Sequence, residues 1–376
     1  MQFIDLQQQQ TRIQASLQKR IAAVLAHGQY ILGPEIAALE QQLAVYTGTR
    51  FCITCASGTD ALLIPLMANN VGPGDAVFLP PFTFMATAEV VALTGATPIF
   101  VDIDPKTYCI DPEKLEHAIV SLQQGRMPTP KTPSGLKPRC IIPVDLFGIP
   151  ADYEAINPIA EKYNLFVLED AAQSFGASFK GKKACSLGSC AATSFFPAKP
   201  LGCYGDGGAL FSNDEQFIEI CKSLRVHGQG SDKYSNVRIG INGRMDTLQA
   251  AIVLAKLEIF DDEIKQRQLV AQRYNTLLKN SVSVPIVPDE CISAWAQYSV
   301  ESDEREKLIA RLKEAGIPTA IYYPKPLHLQ TAFSYLGYEP GSMPASECVA
   351  ERIFSLPMHP YLTEEEQDKI AKAFAG

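Results

Sequence analysis

The chain has 376 residues, 47% of them hydrophobic and 20% charged, with a formal net charge of −8. That length and apolar content suffice for a large core and two domains. The acidic balance, with no basic run or patch, excludes nucleic acid as an expected partner. No apolar run approaches the roughly 18 residues of a membrane-spanning helix, and Met1-Gln-Phe-Ile-Asp-Leu lacks a signal core; no membrane partner and a cytoplasmic location are expected.

An N-terminal arm carrying the run Gln7 to Gln10, read as a solvated face, leads into an amphipathic helix over about Thr11 to His27. Gln29-Tyr-Ile-Leu-Gly-Pro34 is a turn, and Glu35 to Tyr46 a second helix. From residue 51 the pattern repeats strand, turn, helix. Apolar strands are predicted at Phe51–Cys55, Ala76–Leu79, Pro98–Val101, Cys140–Val144, Leu165–Leu168, Ala192–Phe196 and Ala209–Phe211. Helices are predicted at Asp60–Met67, Ala86–Leu93, Pro112–Gln123, Tyr153–Tyr163 and Glu215–Leu224. Short continuous apolar strands alternating with helices argue for a mostly parallel sheet covered on both faces. Ligands of such sheets bind beyond the carboxyl ends of the strands.

Two segments interrupt the rhythm. Residues 124–138 are proline-rich and read as a mobile surface insertion, and Gly228 to Gly240 is a polar loop better placed for function. After Met245 a helical region runs to about Asn280. A strand at Ala294–Val300, a helix at Glu304–Ala315, a strand at Thr319–Tyr323 and a closing helix at Glu364–Phe374 make a smaller α/β unit. The division expected is 1–255 for the arm and large domain, and 256–376 for the small one. The ten cysteines include Cys52 and Cys55, and Cys185 and Cys190. A zinc site is conceivable, but a CxxC on a buried strand separates its thiols poorly for one metal. Small buried hydrophobes are the better reading, and no metal is expected.

The residues that follow the strands carry the chemistry. Ser57 and Asp60 have helix-capping spacing around Gly58 and Thr59, which suits either a plain cap or an anion held on the helix N-terminus. Phe84 suits core packing or stacking on a flat ring. Asp170 ends a buried apolar strand, where a carboxylate is costly unless it is paired; a helix-turn cap or a cationic ligand would serve. Lys199 lies between Pro197 and Pro200, in a turn that neither helix nor ladder can occupy. A solvated loop lysine fits that position. So does a Schiff-base lysine, which needs fixed geometry and a depressed pKa. Taken together, an imine-forming Lys199, Asp170 against a ring nitrogen, a stacking Phe84 and a phosphate held by a helix N-terminus and Ser194 make a pyridoxal 5′-phosphate site.

Seven motifs in order along the chain support this: Ala56-Ser-Gly-Thr-Asp-Ala-Leu, Phe82-Thr-Phe-Met-Ala-Thr, Glu169-Asp-Ala-Ala-Gln-Ser, Ser194-Phe-Phe-Pro-Ala-Lys-Pro-Leu-Gly, Arg225-Val-His-Gly, Asn242-Gly-Arg-Met-Asp-Thr-Leu-Gln-Ala-Ala and Tyr323-Pro-Lys-Pro-Leu-His-Leu-Gln. With them the sequence resembles the nucleotide-sugar aminotransferases of the DegT/StrS type along essentially its whole length. The resemblance implies an aspartate-aminotransferase-like α/β fold (fold type I), with a mostly parallel central sheet, helices on both faces and a smaller C-terminal α/β domain. It implies a homodimer with active sites at the interface, and L-glutamate as amino donor. Lys199 would form the Schiff base and carry the proton, Asp170 would hold the pyridine nitrogen, and Gln173 would meet the ring's phenolic oxygen. Ser57, Gly58, Thr59 and Ser194 would hold the phosphate, joined by Asn242 of the other subunit.

The nearest likeness within the family is to enzymes that aminate UDP-2-acetamido-2-deoxy-3-oxo-glucuronate for surface polysaccharide such as O-antigen. Arg244 would then meet the uronate carboxylate, because a guanidinium binds carboxylate bidentately; a structural ion pair with Asp246 is the other role open to it. Tyr322 and His328 are further substrate candidates, although Tyr322 stands where the family often has histidine. A dTDP- or GDP-linked 3-keto or 4-keto 6-deoxyhexose is the alternative acceptor. Members that dehydrate the sugar carry histidine in place of the lysine, and silent, regulatory members lack the lysine, the aspartate or the aromatic; Lys199, Asp170 and Phe84 argue against both.

Overall fold

Helix α1 (Leu6–His27) is capped by the Asp5 carboxylate, and α2 (Pro34–Thr47) begins on a proline whose missing N–H costs nothing there. The chain then builds β1 (Phe51–Cys55), α3 (Gly58–Ala68), β2 (Asp75–Leu79), α4 (Met85–Leu93), β3 (Thr97–Phe100), α5 (Pro112–Gln123), β4 (Lys137–Ile141), α6 (Tyr153–Tyr163) and β5 (Phe166–Asp170). A two-residue hairpin, β6 (Ser178–Phe179) and β7 (Lys182–Lys183), precedes β8 (Cys190–Ser194), β9 (Gly208–Ser212), α7 (Glu215–Arg225), α8 (Thr247–Leu257) and α9 (Phe260–Leu278). The remainder forms β10 (Cys291–Ile292), β11 (Tyr298–Glu301), α10 (Arg305–Glu314), α11 (Pro344–Arg352), β12 (Ile353–Leu356) and α12 (Glu364–Ala375). This computed structural model describes residues 1–232 and 234–375; Lys233, within the polar loop at 228–240, lies outside the described residues.

Seven strands make one sheet in the order β1-β9-β8-β5-β4-β2-β3. Every pairing is parallel except those of β9, which runs antiparallel to β1 and β8. The apolar runs are continuous because both faces are covered. Ile53, Cys55, Val77, Leu79, Leu168, Cys190 and Leu210 point into one core, while Cys52, Phe78, Val167, Ala191 and Phe211 point to the opposite face. Cys52 and Cys55 therefore face different cores, as small buried hydrophobes. The mostly parallel sheet with helices on both faces and the smaller C-terminal α/β unit are as expected.

Four local expectations change. Gln9 is not on a solvated face: it is buried, and its amide donates to Glu263 of α9 at 2.9 and 3.1 Å. Within 124–138, Thr129 and Thr132 are buried and the Thr129 hydroxyl donates to the Leu336 carbonyl, so this segment is anchored rather than loose. The strand expected from Ala294 begins only at Tyr298, because Trp295 sits at a left-handed φ of 49° that no strand carries. Thr319–Tyr323 forms a single bridge, Ala320 to Ser355, and the true partner of β11 is β12, paired antiparallel from Tyr298–Leu356 to Glu301–Ile353. Along α9, Phe260 and Ile264 pack with the large sheet and Val270, Tyr274 and Leu278 with the smaller unit. Leu327, Phe333 and Leu336 also return to the large core.

Candidate active site

Three strand ends bring the site together. At the end of β1, Ser57 caps α3, its hydroxyl accepting from the Asp60 N–H at 3.0 Å. The first-turn N–H groups of Gly58 and Thr59 have no acceptor within the helix. They abut the end of β8: a Cβ on Gly58 would lie 2.7 Å from the Ser194 Cβ, and one on Gly208 would lie 2.4 Å from the Ser57 carbonyl oxygen. Only glycine admits this approach, which leaves free N–H groups beside two serine hydroxyls. That is a cradle for an anion such as phosphate.

One strand over, β5 delivers Asp170, which is 4% exposed. Its Oδ2 accepts from the Thr87 hydroxyl at 2.8 Å and its Oδ1 from the Ala172 N–H at 3.2 Å. Thr87 is in turn 3.1 Å from the Thr83 hydroxyl, so the first turn of α4 orients the carboxylate. Burial pushes the Asp170 pKa up, against the pull of Thr87, the Ala172 N–H and the charge on Lys199. The carboxylate thus lacks a full counter-ion, and a protonated ring nitrogen fits that need.

Lys199 follows β8 in a tight turn in which its own N–H donates to the Phe196 carbonyl at 2.8 Å. The side chain is half-buried, with no hydrogen-bond or salt-bridge partner among the described residues. Burial lowers its pKa, and the negative charge of Asp170 opposes that shift. An unpaired amine held near a buried carboxylate suits an imine-forming nucleophile that afterwards acts as a base. A solvated loop lysine would show neither the burial nor the depressed pKa.

Gln173 is buried, and the Phe147 N–H donates to its Oε1 at 2.8 Å. That fixes the amide orientation and turns Nε2 toward the Tyr323 hydroxyl, to which it donates at 2.9 Å, leaving its second hydrogen free. The Phe84 ring is 58% exposed and 6.5 Å from the Tyr323 ring, tilted by 43°; it stands at the rim rather than in the core. Tyr322 is half-buried next to Tyr323.

Asn242 and Arg244 lie on an exposed edge past α7. Arg244 donates from Nε and Nη2 to the Asn242 Oδ1 at 3.0 and 2.8 Å. The ion pair open to it in the sequence, with Asp246, is not formed. His328 lies inside the fold. It is 1% exposed, bonded through Nε2 to Glu347 at 3.0 Å and packed among Phe100 and Tyr338.

Sequence reasoning passed over Thr87, Tyr323 and Asp145. Thr87 was legible as a threonine four residues after Thr83 in the first turn of a helix at a strand end. Tyr323 closes the Gln173 amide. Asp145, fully buried, accepts from the Ala151 N–H at 3.0 Å, the Tyr153 hydroxyl at 2.9 Å and the Ser174 hydroxyl at 2.7 Å, and so ties down the loop that carries Gln173.

Unsatisfied helix N–H groups, a buried carboxylate and a half-buried amine meet at one end of the sheet, and the architecture is that of a fold type I pyridoxal phosphate-dependent enzyme. Residues 11–375 match the DegT/DnrJ/EryC1/StrS aminotransferase family, and the chain belongs to it. It is 52% identical over 362 residues, 96% of each chain, to the UDP-2-acetamido-2-deoxy-3-oxo-D-glucuronate aminotransferase of Pseudomonas aeruginosa. A solved DegT DnrJ EryC1 StrS aminotransferase from Brucella abortus superposes with a TM-score of 0.95 at 53% identity, covering 100% of this chain and 99% of that one. NtdA from Bacillus subtilis, solved with bound cofactor PMP, gives a TM-score of 0.87 at 31% identity, covering 99% of this chain and 82% of that one. Pyridoxal 5′-phosphate is the cofactor, and the reaction is transamination.

Proposed function

We propose that the protein moves the amino group of L-glutamate to the C3 carbonyl of UDP-2-acetamido-2-deoxy-3-oxo-glucuronate, yielding the 3-amino sugar for surface polysaccharide such as O-antigen. The observation that carries the reaction is Lys199, a half-buried amine without a partner among the described residues, with its pKa lowered, set near the buried Asp170. The acceptor reading is supported by the likeness to the Pseudomonas aeruginosa enzyme and by Arg244, a guanidinium with no carboxylate partner among the described residues.

When bound, the cofactor supplies an electron sink for the carbanion formed next to nitrogen. The rest belongs to the chain. Lys199 would hold the cofactor through Nζ and, as a free amine, would carry the proton between the amine-bearing carbon and the position beside it, in one direction for the donor and the reverse for the acceptor. Asp170 Oδ1 and Oδ2, held by Ala172 and Thr87, keep the ring nitrogen protonated. Gln173 Nε2 offers its free hydrogen to the phenolic oxygen, and Phe84 covers one ring face. Ser57, Gly58, Thr59 and Ser194 hold the phosphate. Tyr322 stands at the sugar side.

The assembly proposed is a homodimer in which Asn242 and Arg244 reach the partner's site. Tyr30, Ile31, Leu32, Val237 and Ile239 are exposed apolar side chains bracketing this edge, as a surface that becomes covered should be. Among the described residues no helix is long and apolar enough to cross a membrane, and the proposed location is the cytoplasm. Adding L-glutamate to the protein with its cofactor should abolish the absorbance of the pyridoxal form, and UDP-3-oxo-uronate, generated in place by a dehydrogenase, should restore it. Recovery only with a dTDP- or GDP-linked keto 6-deoxyhexose would reassign the acceptor, and no response to glutamate would remove the transaminase reading.

A further inference from the structure

Asn242 and Arg244 have been given separate tasks, one toward a phosphate and one toward a carboxylate, yet their side chains form one unit. Both Nε and Nη2 of Arg244 donate to the single oxygen Asn242 Oδ1, at 3.0 and 2.8 Å. A guanidinium offers two bidentate edges. The Nε/Nη2 edge is spent on Asn242, and the Nη1/Nη2 edge is open. Because the oxygen is claimed by two charge-assisted donors, the Asn242 Nδ2 is turned away from Arg244 and keeps both hydrogens for an acceptor. No carboxylate competes for the guanidinium among the described residues.

We infer that Arg244 is a positioning residue for Asn242, so that one guanidinium both aims the amide at the cofactor phosphate and presents its outer edge to the acidic sugar. This rests on the roles proposed above for the two side chains. The pair links cofactor retention to recognition of the acid: a carboxylate on the outer edge restrains the guanidinium and with it the amide, and a bound phosphate restrains the amide and with it the guanidinium. Reciprocity is then required, because a coupling free energy acts equally on both ligands. Lysine cannot replace arginine here, since an ammonium on a flexible stem cannot grip the amide oxygen and leave a second planar edge.

The test is titration of cofactor-free protein with pyridoxal phosphate, followed by absorbance, in Arg244→Ala, Arg244→Lys, Asn242→Ala and the double variant. Both Arg244 variants are expected to weaken cofactor affinity by about three- to tenfold, the loss of one charge-assisted contact acting through a neighbour. Asn242→Ala should weaken it at least as much, and adding Arg244→Ala to it should cost little more, as coupled sites do. Asn242→Asp, which keeps the guanidinium contact but has no N–H to offer, serves as the second probe and should also lose affinity. Unchanged cofactor affinity in both Arg244 variants, with the native thermal transition retained, overturns the inference. Additive losses in the double variant also overturn it. The acceptor reading is judged apart, by kcat/KM for UDP-3-oxo-uronate: a drop there with cofactor affinity unmoved keeps the substrate role and sinks the coupling. Weakened cofactor binding with kcat/KM at saturating cofactor unmoved does the reverse.

Discussion

The interior of the site and its rim are built on different principles. Inside, each polar group has at least one partner from another segment of the fold: Asp170 has Thr87, Gln173 has Phe147 and Tyr323, and Asp145 has Ser174 beside its nearer neighbours Ala151 and Tyr153. At the rim, Asn242 and Arg244 hold each other two residues apart, and Phe84 stands 58% exposed. Groups that must deliver the same electrostatics in every turnover are preorganised where water is excluded. Groups that meet the substrate keep donors free until it arrives. The comparison predicts that interior changes strike the chemical step, while rim changes strike affinity and selectivity.

The sharpest way to break that division is Lys199→Ala. It should lower turnover by at least ~10³-fold, the scale on which a positioned base and nucleophile contribute, while the protein still binds pyridoxamine phosphate in an absorbance titration. Residual turnover near wild type would remove Lys199 from the chemistry. Asp170→Asn comes next, with an expected loss of about 10²-fold in kcat for the glutamate half-reaction. It carries a second signature. The Asp170 charge holds the Lys199 pKa up against burial, so in cofactor-free protein the Asn variant should let the amine react with an acylating reagent at lower pH. An unchanged labelling profile would mean that the two groups do not sense each other.

Tyr323→Phe should cost less, roughly three- to tenfold in kcat, because it removes one hydrogen bond from Gln173 Nε2 while the Phe147 N–H still orients the amide. A larger effect on KM for the sugar than on kcat would move Tyr323 from the interior group to the rim.

Most of the large sheet was legible because its strands are buried on both faces and read as unbroken apolar runs bounded by turns. Ser57, Asp170 and Lys199 were legible because each is a polar residue placed where such a strand stops. What was not legible depends on tertiary choice. Thr319–Tyr323 and Ile353–Leu356 are both short apolar runs, and nothing local tells which of them pairs with Tyr298–Glu301. His328 shares a motif with site residues, yet only packing against Phe100 and Tyr338 reveals that it faces inward. Gln9 looked solvated until Glu263, 254 positions away, became its partner.

The last expected effect is on stability and separates two buried acids that look alike. Glu169 accepts from three backbone N–H groups, of Cys185, Leu187 and Gly188, and these donors cannot turn away. Asp145 accepts from one N–H and from the hydroxyls of Tyr153 and Ser174, which can rotate. Glu169→Gln sets an NH₂ group against fixed donors and should destabilise by about 2–3 kcal/mol, whereas Asp145→Asn should cost about 1 kcal/mol or less near neutral pH. Burial raises the Asp145 pKa above that of the unfolded chain. The folded state therefore holds the proton more tightly, and this contribution to stability is fully present below an unfolded pKa of roughly 4 and is lost as pH rises through the folded value. Urea denaturation between weakly acid and neutral pH should show a shallower loss of stability with rising pH in Asp145→Asn than in the wild type. Parallel curves would mean that Asp145 titrates alike in both states, and its three donors would then fully offset the cost of its burial.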